Sequence, residues 1–541
     1  MSPAAHPAPG APGALGPTAA SPDVVIVGGG HNGLVAGAYL ARAGWHTVVL
    51  ERAPQIGGAV RSGEVTQPGF VHDLFATNLN LFLGSPVHQE LGGELERHGL
   101  TYAGSAAPFA NLFGGGRSLR VWADRQRTEA ELGQHDPLDA AGWRRLRERY
   151  ERLAPALFAG YASVMPSREI FTALRALAPA ALVDLARLLA SSTGRLAGDY
   201  LHSPEAQVLL ACWGMHLDFG PDVRGGAMFP FLEAFTDEAV GMSVARGGAS
   251  RLPEALRGLI EEAGGQVRCD ADVARVLVSD GTATGVELAS GERVFARRAV
   301  IANLTPAVLY RRLLAHAHLP RRVRSGARRY RYGPATMMVH LALSGEPSWA
   351  GGADLGQFAY LHIAPLLQDL RDAYASAAQG LLPAEPLLVV GQTSAVDPSR
   401  APEGGHVLWV QVRTLPPEVR GDAGGELAPG SWDELAEPFA DRVMAKLDRY
   451  APGLRERVIG RRVLSPADLE RENPNLVGGD SLAGSMHLRQ NFLLRPFAGV
   501  APYATGVKRL SLVGAGTWPG AGVNALSGYH VARRLMAAVP F

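Results

Sequence analysis

At 541 residues the chain is long enough to bury cores in two or more domains, and a makeup of 47% hydrophobic and 19% charged residues is that of an ordinary globular protein. A formal net charge of +1 leaves no electrostatic footprint for nucleic acid. The two cysteines, Cys212 and Cys269, have no CxxC partner, which excludes a disulfide framework and a dithiol relay, and no HExxH or Cys/His spacing points to a metal.

Residues 1–22 are nearly all Ala, Pro, Gly and Ser and are expected to be a disordered tail without the basic and apolar regions of a targeting segment. The apolar run from Val24 to Val27 then suits a buried parallel strand. Gly28, Gly30 and Gly33 follow in the spacing that gives a tight turn, close approach to a pyrophosphate and room for a helix on its strand. His31 and Asn32 stand where that helix opens, so its N-terminus is expected to carry phosphate. Leu34, Gly37, Ala38 and Ala41 form its inward stripe. A second strand from Thr47 ends at Glu51, placed to accept hydrogen bonds from ribose hydroxyls. These features together predict a dinucleotide site.

Two further features select FAD over NAD. Directly after the acid, Arg52, Gly58 and Arg61 form a second glycine-cornered loop that can reach the far side of a longer pyrophosphate ligand. Near the C-terminus, Leu510 to Val513 reads as a strand, residues 514–522 as a glycine-rich turn, and a helix is expected from about Val523 to Met536, its N-terminus aimed at the flavin pyrimidine edge. No second GxGxxG follows a strand, so bound NADPH is not indicated.

Because nucleotide motifs fall at the beginning, middle and end, the fold expected is α/β: a discontinuous Rossmann-type FAD-binding domain (residues 23–100, 240–310 and 455–541) with an inserted α+β substrate domain (101–239 and 311–454) made of a sheet and a helical cap. Within the first insertion, residues 101–239 read as helical after an early strand pair. Residues 171–189 carry only Arg175, Asp184 and Arg187 as charges, which suits either cap packing or peripheral contact with a bilayer. In the middle segment a helix is predicted over 251–263, with strands near 266–269, 273–278, 285–288 and 298–302. In the second insertion, 335–343, 387–393 and 406–413 read as strands. No apolar run approaches the roughly 18 residues of a membrane span.

Several short words run the length of the chain: Gly30-His-Asn-Gly-Leu-Val, Pro68-Gly-Phe70, Ala245-Arg-Gly-Gly248, Gly285-Val-Glu-Leu, Ala401-Pro-Glu-Gly-Gly-His-Val-Leu-Trp409, Ile459-Gly-Arg-Arg-Val-Leu-Ser-Pro466 and Gly514-Ala-Gly-Thr-Trp-Pro-Gly. In these the chain resembles the FAD-dependent phytoene-desaturase-like superfamily, particularly its branch of flavin-type carotene ketolases and pyridine-nucleotide-disulphide-oxidoreductase-domain-like proteins. The resemblance implies dinucleotide contacts at Gly28, Gly30, Gly33 and Glu51, phosphate contacts around Arg52, Gly58 and Arg61, a backbone adenine contact at Val273, and flavin contacts at Gly516, Gly522 and Val523. It departs at Thr517-Trp518-Pro519-Gly520-Ala521-Gly522, where relatives usually read Thr-His-Pro-Gly-Gly-Gly.

The implied function is hydride removal from an apolar, isoprenoid or carotenoid-like substrate. A carotene ketolase, a redox-neutral isomerase, an amine oxidase and a non-catalytic flavin-binding partner stand as alternatives. Trp518, Phe231 and Met337 are the candidate substrate-facing residues, although aromatic and Met clusters such as Phe219, Met228, Phe229 and Phe235 are core more often than pocket. Asp218, Arg224, Asp480, His487 and Arg489 lie near the domain junctions and are acid–base candidates, with no catalytic base assigned. All but two of the basic residues, Lys446 and Lys508, are arginines, the codon bias of a GC-rich genome; a bacterial source and a cytoplasmic location, with peripheral membrane association as an option, are expected.

Overall fold

The computed structural model describes residues 21–537; the expected N-terminal tail lies outside the described residues except for its last two. Five short strands, all but the last mainly apolar, form an all-parallel sheet in the order Leu510–Val513, Ala299–Asn303, Val24–Val27, Thr47–Leu50, Gln266–Arg268. Four of the five are buried along their whole length, as an unalternating apolar run requires when both faces are covered. One face carries the helices His31–Arg42, Arg251–Glu262 and Leu526–Met536, which share a core with Val24, Ile26 and Val49. The other face is closed by an antiparallel three-stranded sheet, Val273–Ser279, Thr282–Leu288 and Arg293–Phe295, in a core with Val25, Val48 and Val300.

A second, seven-stranded sheet runs in the order Val458–Leu464, Ala335–Leu343, His406–Leu415, Leu387–Gly391, Tyr360–Ile363, Phe109–Phe113, Arg117–Val121. It is antiparallel except where Tyr360–Ile363 pairs with Phe109–Phe113. The strand Val458–Leu464, read in the sequence with the C-terminal nucleotide segment, pairs here with Ala335–Leu343 as an edge strand. One face packs on the long helix Trp432–Tyr450. The other looks across a cavity to a helical layer that includes Pro137–Ala162 and Met228–Val240. The Leu/Ala-rich stretch 171–189 is not one helix but parts of two, Arg168–Ala176 and Pro179–Ala190, divided before Pro179. Among the described residues no helix is long and apolar enough to cross a membrane.

A buried ion triad joins the regions. The Arg400 guanidinium meets Asp73 at 2.9 Å and Asp397 at 3.0 Å, with all three side chains fully buried. Asp73 also accepts from the Ala249 amide, and Asp397 from that of Gly247, so the Arg246-Gly-Gly248 turn is held by the same charges. Partnering of this kind holds both carboxylates below the usual carboxylate range despite burial, Asp73 chiefly through the charge of Arg400 and Asp397 through the Gly247 amide, Ser399 and Arg400 together.

Candidate functional site

The turn after Val24–Val27 is made of bare backbone because nothing else fits. Gly28 has φ +97°, and a Cβ on Gly33 would come within 2.5 Å of the Gly28 carbonyl oxygen. Asn303, at the end of the neighbouring strand, donates to the Gly28 and Gly30 carbonyls at 3.2 and 3.1 Å and fixes the turn. Asn32 accepts at 2.8 Å from Ser527, whose hydroxyl oxygen in turn accepts from the Gly514 amide at 2.8 Å. His31 hydrogen-bonds Asn32 at 2.8 Å, and burial lowers its pKa to about 4, so it brings no charge to the helix N-terminus. The first and last nucleotide motifs therefore meet through side chains nearly five hundred positions apart.

A cleft of about 80 Å³ opens beside this turn, lined by Gly28, Gly30, Glu51, Arg52, Gly58, Arg61, Val273 and Asn303. The Glu51 carboxylate accepts from the Gly29 amide at 2.7 Å and the Ala53 amide at 2.9 Å, which aims it with lone pairs to spare. Arg61 is clamped between the Gly58 carbonyl and Glu472, whereas Arg52 is exposed. Asn303, Glu472 and the loop Asn473 to Asn475 also border the cleft and were missed in the sequence, where polar residues at the end of a strand or helix read as an ordinary turn.

A second cavity, of about 220 Å³ and mainly apolar, begins where this region ends. Ala59, Ala521, Gly522 and Val523 form one wall; Thr336, Met338, Tyr360, Trp409, Gln411 and Arg413 of the seven-stranded sheet form another; Tyr161, Phe229, Leu232 and Glu233 close it from the helical layer. Gly516 does not reach either space: it packs on Pro306, and its carbonyl accepts from the Tyr330 hydroxyl at 3.4 Å. The terminal helix begins at Leu526 and not near Val523, since Ala525 is left-handed and the Asn524 side chain caps the Leu526 amide at 3.0 Å.

The three substrate-facing expectations are corrected. Met337 points to the opposite side of its strand, into the core under Trp432–Tyr450, and its neighbour Met338 lines the cavity. Phe231 is fully buried between Tyr150 and Phe235, while Phe229, two residues earlier on the same helix, faces the cavity. Trp518 lies behind the wall, its indole donating to the Ser163 carbonyl at 2.9 Å and its ring edge-on to Tyr161 at 6.4 Å.

The junction acids are structural supports. Asp480 accepts from the amides of Gly333, Leu482 and Gly484, and Asp218 accepts from Ser485 and the Met486 amide. They hold the loop whose Ser481, Leu482 and Met486 line the cavity. His487 bonds the Asp218 carbonyl at 2.7 Å, and neither Arg224 nor Arg489 reaches the cavity. The acid that lines the cavity is instead Glu233, with Asp237 buried behind it one helical turn further along. Burial raises Glu233 to about 7, and Asp237, hydrogen-bonded to Asn80 at 2.8 Å, is raised well above the carboxylate range.

With this geometry in view, the model of the flavin-containing amine oxidoreductase family matches residues 33–415. The chain belongs to that family. It is 29% identical to rat pyridine nucleotide-disulfide oxidoreductase domain-containing protein 2, covering 94% of this chain and 92% of the relative. It is 26% identical to a neurosporene-forming phytoene desaturase of Cereibacter sphaeroides, covering 95% and 94%. A Methanosarcina mazei oxidoreductase of solved structure shares the fold, with TM-score 0.59 at 17% identity over 94% of this chain and 99% of that one.

The protein is thus an FAD-dependent oxidoreductase. The residues present fit the cofactor: Gly28, Gly30 and Gly33 have no room for side chains, the Glu51 side chain lines the adjoining cleft, and Ala521 and Gly522 of the C-terminal glycine loop border the larger cavity.

Proposed function

We propose that the chain removes a hydride from an apolar, isoprenoid or carotenoid-like molecule, in the manner of a desaturase, on a discontinuous Rossmann-type domain. The observation that carries the reading is that Ala59, Gly522 and Val523, residues of the nucleotide motifs, share one mainly apolar cavity with the large sheet. Glu51, Arg52, Gly58, Arg61 and Val273 would hold the adenosine and diphosphate, and Gly522 and Val523 the ring end. When bound, FAD supplies the two-electron acceptor. Phe75, Phe229, Leu232 and Leu482 exclude water and hold an aliphatic chain by contact, which is what a hydride transfer needs from its pocket. Glu233, half-neutral near pH 7, holds or releases a proton at its carboxyl oxygen.

A phytoene desaturase among relatives matched nearly end to end supports the substrate class. The helices Arg168–Ala176 and Pro179–Ala190 leave Phe171 61% and Val183 52% exposed, which supports uptake of such a substrate from a lipid surface facing the cytoplasm.

The test is anaerobic mixing of the yellow holoprotein with phytoene and with a shorter terpene hydrocarbon, followed by product analysis. Bleaching of the flavin with a product two hydrogens lighter is expected. A keto or merely isomerised product assigns the alternative reactions, and bleaching by amines alone replaces the reading with amine oxidation.

A further inference from the structure

Arg413 is 4% exposed, lies in the strand His406–Leu415, and lines the apolar cavity. Its Nε donates to the Met215 carbonyl at 2.7 Å, one terminal nitrogen donates to Thr336 Oγ1 at 3.2 Å and Ser481 Oγ at 2.9 Å, and the other donates to the His216 carbonyl at 2.6 Å. Every one of these acceptors is neutral. A guanidinium has five N–H groups, and these bonds use four.

Other buried arginines here are either neutralised or saturated. Arg400 meets two carboxylates, Arg147 meets Glu238 and Glu129, and Arg149 meets Asp184. Arg495, which also lacks a carboxylate, spends its donors on the carbonyls of Gly484, Ser485, Gln490 and Ala515, and it lines no cavity. Arg413 alone among these faces the cavity, and among the described residues no carboxylate oxygen lies within 4.0 Å of it. The acids nearest to it, Asp218 and Asp480, are turned to Ser485 and to backbone amides. The adjoining His216 and His362 pair at 2.8 Å and are kept neutral by burial, so neither offers a counter-charge.

Two further groups in the same cavity lack partners. The Trp213 indole N–H is buried with no acceptor. Gln411, two residues from Arg413 and therefore on the same face of the strand, makes no side-chain hydrogen bond among the described residues. A buried cation with a free N–H, with an idle amide on the same face of its strand, is a site short of an anionic acceptor.

We propose that the ligand of this cavity is an apolar acid whose carboxylate seats on Arg413 and Gln411 while its hydrocarbon body lies along the Phe75, Phe229 and Leu482 walls. This rests on the apolar-substrate reading above and narrows it from hydrocarbons at large to chains with one anionic end.

The test is binding to the FAD-loaded protein, read by perturbation of the flavin absorbance, with farnesoic acid, farnesol and farnesene as matched probes. The wild type should bind the acid about ten- to hundredfold more tightly than the alcohol, the effect of one charge-assisted pair in a dry site. Arg413→Gln should lose that preference and Arg413→Lys should retain part of it. Equal affinity of the wild type for acid and alcohol overturns the proposal without any variant, as does a folded Arg413→Gln protein that still prefers the acid. Binding of alcohol and hydrocarbon without acid preference leaves the apolar-substrate reading standing and sinks this inference alone; failure of all three probes to bind sinks both.

Discussion

The nucleotide cleft is built around a bare-backbone turn, Gly28 to Gly30, at the ends of adjacent parallel strands, with side chains such as Glu51 and Arg61 about it, whereas the apolar cavity beside it is walled by side chains gathered from a mixed sheet, a helical layer and two loops. A backbone site needs particular residues at fixed spacing, because only glycine fits at Gly33 and only an acid at Glu51 would accept the ribose. A side-chain site tolerates many residues at each position and depends on which face of each strand turns inward. The first kind constrains sequence locally, the second through long-range packing.

Four perturbations break or sharpen this contrast. The largest effect is expected at the joint between the regions: Arg400→Met leaves Asp73 and Asp397 buried without their cation and should cost about 3–5 kcal/mol in urea unfolding. The paired substitutions Met337→Ala and Met338→Ala come next. Met337, in the core, should cost about 2–5 kcal/mol of stability with ligand affinity retained. Met338 should weaken apolar ligand binding, and a reversal of the two outcomes would put the strand in the wrong register.

Glu51→Ala should loosen FAD by about 1.5–3 kcal/mol, roughly 10- to 150-fold, measured by flavin release on dilution. Unchanged flavin content would remove Glu51 from the site. The smallest effect concerns pH. Glu233 titrates near 7 in the folded protein against an ordinary 4.5. Between these values the folded state holds the proton that the unfolded chain has lost, so stability falls as pH rises through the window. Glu233→Gln should flatten that slope by about 1–2 kcal/mol in thermal melts from pH 5 to 8.

The legibility of the two regions in sequence follows the same division. The turn at Gly28 to Gly33, the acid at Glu51 and the strand at Leu510–Val513 were readable because spacing and apolar runs dictate them. Met337 was not separable from Met338, since Ala335–Leu343 is buried on both faces and lacks the alternation that marks an inner side. Glu233 was hidden on a mainly apolar helix, where it, Asp237 and Glu238 have the spacing of a solvent edge. Val458–Leu464 lay near the C-terminal glycine motif in sequence but pairs with a strand more than a hundred residues earlier. The start of the terminal helix was displaced because Asn524 caps it with a side chain, and a cap after a glycine loop is indistinguishable from the loop itself.

The central claim is that sequence-distant segments hold one FAD whose ring end borders the apolar cavity. A crystal structure of the FAD-loaded protein tests it most directly. The account predicts the ribose on Glu51, the adenine by Val273, and the isoalloxazine against Gly522 and Val523 with one face open to the space lined by Met338 and Phe229. An isoalloxazine walled off from that space, or a cofactor bound away from the Gly28 to Gly33 turn, would contradict it.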